Sequence, residues 1–194
     1  MEMIFIVLIL VMFPASAGAQ SRSGIWGGGG VGYGVAERSS DEADFDREGA
    51  AVAYVTIGWT LSDHVLIGAE FNLWSRTAES ERSNIDATVN IYNASIALVF
   101  YPSSTAGFFV KSGGGASLID LEIERFNTRL TTDLGTGLGY IVGVGYDIPV
   151  GSIWITPAVN FWGGVLGDLE FHDTTLFTDW KQNVLDFTIG VKFH

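Results

Sequence analysis

Cysteine is missing from all 194 positions, which excludes a disulfide framework and any thiolate metal site. Proline occurs 4 times and histidine 3 times. Charge is sparse as well, at 16% of residues against 47% hydrophobic. Bases are the scarcer sign, 10 against 22 acids, and a net charge of −12 excludes a nucleic-acid partner. Beyond Phe13 no apolar run approaches the roughly 20 residues that a membrane-crossing helix requires. Helical periodicity is correspondingly rare.

What is present begins with MEMIFIVLILVMFPASAGAQ. The run from Ile4 to Phe13 is too short to span a bilayer, and Ala17-Gly18-Ala19 has the small-x-small form of a signal-peptidase site. The stretch therefore predicts a cleaved signal peptide over 1–19 and one mature domain over 20–194. Glu2, with no Lys or Arg beside it, departs from the usual basic start.

The mature chain is organised by a period of two. In TDLGTGLGYIVGVGYDI, residues 132–148, glycine stands at 135, 137, 139, 143 and 145, while the even positions read Leu134, Thr136, Leu138, Tyr140, Val142, Val144 and Tyr146. A phosphate-binding loop would hand over to a helix. Only a strand has reason to keep such alternation. The same pattern predicts strands near 24–36, 50–61, 64–75, 87–101, 107–119, 152–164 and 183–194. Short connections (62–63, 102–106, 147–151) alternate with longer polar segments (37–49, 76–86, 120–131, 165–182). Together these predict an all-β fold, an eight-stranded antiparallel up-and-down transmembrane β-barrel.

The placement of charge selects the outward face. Glu70, Lys111, Asp186 and Lys192 all lie on the glycine-rich side of their strands, and the opposite face is uncharged. A Lys or Arg facing lipid near mid-membrane costs about 2–4 kcal/mol, so the uncharged face is the lipid face. The other face becomes a narrow lumen filled by Trp26, Tyr54, Trp74, Tyr101, Trp154 and Trp162. The four charges there predict a lumenal ion network in which Glu70 and Asp186 pair with Lys111 and with Lys192. On the lipid face, Trp59, Phe100, Phe108, Tyr146 and Phe193 form a girdle beside the short turns. Pro157 lacks an amide donor, which predicts a bulge or a strand rim there.

The strand GTGLGYIVGVGYDIPVG with the following ITPAVNF, the signal peptide and the C-terminal VLDFTIGVKF together resemble the small outer-membrane β-barrel proteins of Gram-negative bacteria, the group of the OmpA barrel, OmpX and opacity-type proteins. The resemblance implies outer-membrane localisation, lipid and lipopolysaccharide as surroundings, and a monomer. It also implies insertion by the barrel-assembly machinery, which would read Phe187, Ile189, Gly190, Val191 and Phe193 as its signal strand. Here Phe193 is penultimate rather than last.

Chemistry-bearing motifs are thin. GGGGVG at 27–32 fits a dinucleotide fingerprint formally, but no helix follows it. A serine-hydrolase lipid A deacylase needs serine, histidine and acid in reach. Of His64, His172 and His194, only His172 lies in a long segment, beside Asp173 and Thr174, and no serine motif accompanies it. In DEADFD, residues 41–46, the acids Glu42, Asp44 and Asp46 lack the glycine and closing acid of a calcium loop. The expectation is a non-catalytic barrel without cofactor or metal, with a structural or surface-interaction role carried by four long extracellular loops. The alternatives are a lipid A-modifying enzyme, a narrow OmpW-like channel for small apolar solutes, and a soluble periplasmic carrier.

Overall fold

The computed structural model describes residues 22–41, 43–80, 85–125, 128–171 and 174–194. The signal peptide expected over 1–19 lies outside them, as do Glu42, His172 and Asp173. The strands are β1 (Ile25–Ser39), β2 (Asp44–Ser62), β3 (Val65–Ser80), β4 (Ile85–Phe100), β5 (Phe108–Arg125), β6 (Thr128–Tyr146), β7 (Ile148–Val150), β8 (Ile153–Phe171) and β9 (Thr174–Phe193). Each pairs antiparallel with its neighbour, β1 also pairs β9, and β6 pairs β8, so the sheet closes on itself.

Nine strands make eight staves. β6 and β7 meet β8 in one register, Gly145 opposite Ala158 and Ile148 opposite Ile155. They form a single stave interrupted at Asp147. Pro157 sits on β8 across from this gap and cannot donate a ladder hydrogen bond. The expected bulge or strand rim is not seen: Pro157 lies within β8, opposite Ile189 of β9 in unbroken register, and only the neighbouring stave is interrupted beside it. The Asp147 amide turns instead to Gly107 O at 2.9 Å.

The strands are longer than the lipid band requires. β2, β6 and β8 have 19 residues each and β9 has 20, against the 9–11 that a tilted strand needs to cross. The segments expected as long loops are mostly ladder, pairing as far as Ser39 with Asp44, Ser80 with Ile85, Arg125 with Thr128 and Phe171 with Thr174. Outside the bilayer both faces of a strand meet water, so polar residues on both sides do not oppose pairing. These ribbons form a crown at the end away from the two termini. Its inner side is anchored by apolar residues: Phe45, Phe177 and Trp180 stack with centroids 5.1–5.5 Å apart. Gly167, with φ of 78°, takes up the irregular register between Val165 and Leu169.

The alternation expected from sequence is observed on every long strand. Val31, Tyr33, Ile57, Leu138 and Phe193 are among the exposed outer residues, while Trp26, Trp74, Tyr101, Trp154 and Trp162 are buried inside. Outer aromatics near the short turns are joined by a second set toward the crown, Tyr33, Tyr92 and Tyr140, completing the two girdles of a membrane band. The glycines of the lumen face are seats for large side chains. A Cβ on Gly30 would come within 2.7 Å of Tyr54, one on Gly58 or Gly68 within 2.7 Å of Trp26, and one on Gly145 within 2.5 Å of Phe109.

Candidate functional site in the barrel lumen

The lumen has three levels. Toward the crown it is apolar, built from Trp74, Ile91, Ile119, Ile141, Trp162 and Val184. A second apolar cluster near the short turns contains Trp26, Leu66, Val99, Tyr101, Phe109 and Ala158. Buried polar groups lie between and among them, including Asn72, Asn93, Ser95, Thr156, Asn160 and Thr188.

The structure brings Lys111 Nζ to 2.6 Å from Glu70 Oε1, both side chains buried. Their strands, β5 and β3, flank β4, and the two charges reach past it inside the barrel. Lys192 does not join them. Its Nζ donates to both Asp147 oxygens at 2.9 and 3.0 Å and to Tyr101 Oη at 3.0 Å. Asp147 also accepts from Tyr101 Oη at 2.5 Å and Thr156 Oγ1 at 2.7 Å. Asp186 takes neutral donors, Asn160 Nδ2 at 2.7 Å and Trp162 Nε1 at 2.6 Å. Among the described residues no cation lies within ion-pair distance of Asp186. The expected pairing of Asp186 with a lysine is therefore corrected. Asn160 and Trp162 project into the lumen beside it from β8, and two hydrogen bonds satisfy the carboxylate without a charge.

Asp147 falls in the short connection expected over 147–151, yet it is a buried lumenal acid. Its odd number carried the signal, because it continues the inward positions 135–145 of the same strand. Arg22 was also missed. It is buried at the short-turn end, stacked 3.7 Å over the Tyr101 ring, and donates to the carbonyls of Ser104 and Ala106. At the crown, Glu48 accepts from Arg38 and Arg76.

On β9, Phe187, Ile189, Val191 and Phe193 are exposed on the outer wall, while Gly190 faces inward beneath Tyr54. His194 packs edge-on against Trp154, centroids 4.6 Å apart. Burial there pushes its imidazole from the usual 6.5 to about 4, with the Lys192 cation adding to the effect. His64 Nδ1 lies 2.8 Å from Tyr101 O in the turn after β2, remote from the crown. Among the described residues no three acidic or histidine groups converge as a metal site would need.

A closed antiparallel barrel with an apolar outer wall, paired aromatic girdles and a packed polar interior is an integral membrane β-barrel. The chain belongs to the outer membrane protein beta-barrel domain family, which matches residues 5–193. No curated protein matches it. Among solved structures it is similar to Ail, the attachment invasion locus protein of Yersinia pestis, in complex with the heparin analogue sucrose octasulfate: TM-score 0.60, 15% identity, covering 89% of this chain and 100% of that one. It is also similar to Neisserial surface protein A, with TM-score 0.57 and 15% identity, covering 88% and 97%. The protein is thus a β-barrel of the Gram-negative outer membrane.

Proposed function

We propose that the protein is a non-catalytic, monomeric barrel whose crown is an extracellular interaction surface for cationic partners. One observation carries this reading: the charge of the chain is gathered on the crown. Segments 37–48, 76–88, 120–133 and 165–182 hold 17 acids and 7 bases, a net of −10. Apart from Glu2, the remaining ionisable acids and bases are Asp63 and six buried groups, three of each sign. A field of that sign steers basic proteins and peptides inward and repels polyanions. The polysulfated ligand bound in the Ail structure would be repelled by this crown. Lipopolysaccharide phosphates would approach it only through divalent cations. The packed lumen supports a structural wall rather than a solute path. β9 supports recognition by the assembly machinery through Phe187, Ile189, Gly190, Val191 and Phe193.

The test uses the barrel in lipid nanodiscs on a biosensor. Polylysine should bind at low salt and release as ionic strength rises, and heparin should not bind. Replacing the crown acids of 37–48 by their amides should weaken polylysine binding. Heparin binding, or polylysine binding indifferent to those changes, would overturn the reading. In a parallel arm, purified barrel should leave the mass of added lipid A unchanged. A product of altered mass would establish the enzyme instead.

A further inference from the structure

Within the polar level of the lumen lies a cavity of about 20 Å³ whose wall includes Trp26, Tyr54, Glu70, Lys111, Thr156 and Lys192. Trp26 is 2% exposed, and its indole N–H has no hydrogen-bond partner. A buried donor left without an acceptor is costly. We propose that this cavity is the site of one long-lived water molecule. It accepts from the Trp26 indole and donates its two protons to acceptors of the same lining, the Glu70 carboxylate and the Tyr54 hydroxyl.

Size, charge and chemistry each point to this occupant. One water needs about 10–15 Å³ of such space, so the cavity holds a single molecule and no organic solute. Among the described residues the buried acids and bases are Arg22, Lys111 and Lys192 against Glu70, Asp147 and Asp186. They balance, so an added anion or cation would itself be a buried unpaired charge. The wall offers donors and acceptors together, the mixture that water satisfies and a simple ion does not. Bound there, the water ties the Glu70–Lys111 pair to the Trp26 side of the barrel.

Water-to-indole NOE and ROE spectra of the ¹⁵N-labelled barrel in nanodiscs test this, with a crystal structure as the second readout. Sequential assignment of the wild-type chain identifies the indoles without any substitution. The Trp26 indole proton should show a water cross-peak with the sign of a slowly tumbling contact. Trp74 and Trp162 should show none, because they donate to Gly34 O and Asp186 Oδ2. The crystal should hold one solvent peak at hydrogen-bond distance from Trp26 Nε1. No cross-peak at Trp26 means a dry cavity and overturns the proposal. Cross-peaks at Trp74 or Trp162 as well mean an open aqueous lumen and overturn it too. A Trp26 cross-peak without the solvent peak assigns the signal to exchanging lysine protons, with the same result. None of these outcomes bears on cation binding by the crown, which fails or stands on the biosensor result.

Discussion

Lys111 and Glu70 make the energetic stakes of the lumen concrete. Both are withdrawn from water, so removing one partner leaves an uncompensated buried charge. Lys111→Met should lower the unfolding free energy in detergent by about 3–5 kcal/mol. Adding Glu70→Gln should restore part of that loss, since the stranded charge is then gone. An unchanged unfolding midpoint for the single variant would mean the pair is hydrated. His194 gives a second residue-level outcome with a defined sign. Its folded value, about 4, lies below the ordinary 6.5, so between those limits the unfolded chain binds a proton that the folded chain does not. The contribution is complete above pH 6.5 and fades as pH falls toward 4. His194→Gln should flatten the acid side of the stability profile, modestly because the ring is partly solvated. Parallel profiles for the two proteins would show that the ring titrates as in water. At this scale the sequence was legible through parity: Glu70, Lys111, Asp186 and Lys192 all point inward as alternation requires. Where Asp186 and Lys192 find their partners was not legible. Asp147 stands in a segment whose polarity reads as turn, and Asn160 and Trp162 are neutral donors that no charge pattern reveals.

At the scale of the strand, alternation was legible in the band, where one face meets lipid and the other the lumen. It faded in the crown, where the sequence is mostly polar and only scattered inward residues such as Phe45, Leu169 and Trp180 mark the continuing ladder. The polar pattern there predicts loop where the structure has ribbon. The closing strand offers a clean test of recognition. Phe193 is at the membrane edge, where a charge costs only about 0–1 kcal/mol, and Asp less than Lys. Solvation alone would barely change insertion of Phe193→Asp. A sharp fall in its outer-membrane level, with Phe193→Leu less affected, would therefore report reading of the strand by the assembly machinery. Normal levels of the Asp variant would remove Phe193 from that role.

For the molecule as a whole, two apolar clusters and a polar level fill an eight-stave interior that is only wide enough for side chains. Planar-bilayer recordings of the purified barrel should show no reproducible large conductance steps. Steps of that kind would contradict the packing. Topology follows from stave number, since an even count returns both termini to one side. Protease added to intact cells should cut within 37–49, 76–86, 120–131 or 165–182. Cuts confined to Asp63 or the region of Ser103 would invert the orientation.

Two copies side by side would touch through apolar walls that carry no charge, and this would bring their crowns near each other. With segments 37–48, 76–88, 120–133 and 165–182 carrying a net of −10 in the sequence, neighbours should repel when these segments come within a Debye length, about 8 Å at physiological salt. Lateral spacing in the membrane is then governed by the ionic medium above it rather than by the lipid around it. The expected outcome is that barrels disperse at low ionic strength and crowd together as salt rises, which energy transfer between labelled barrels in a bilayer would measure. A divalent cation or a basic partner held between two crowns would act as a lateral crosslink.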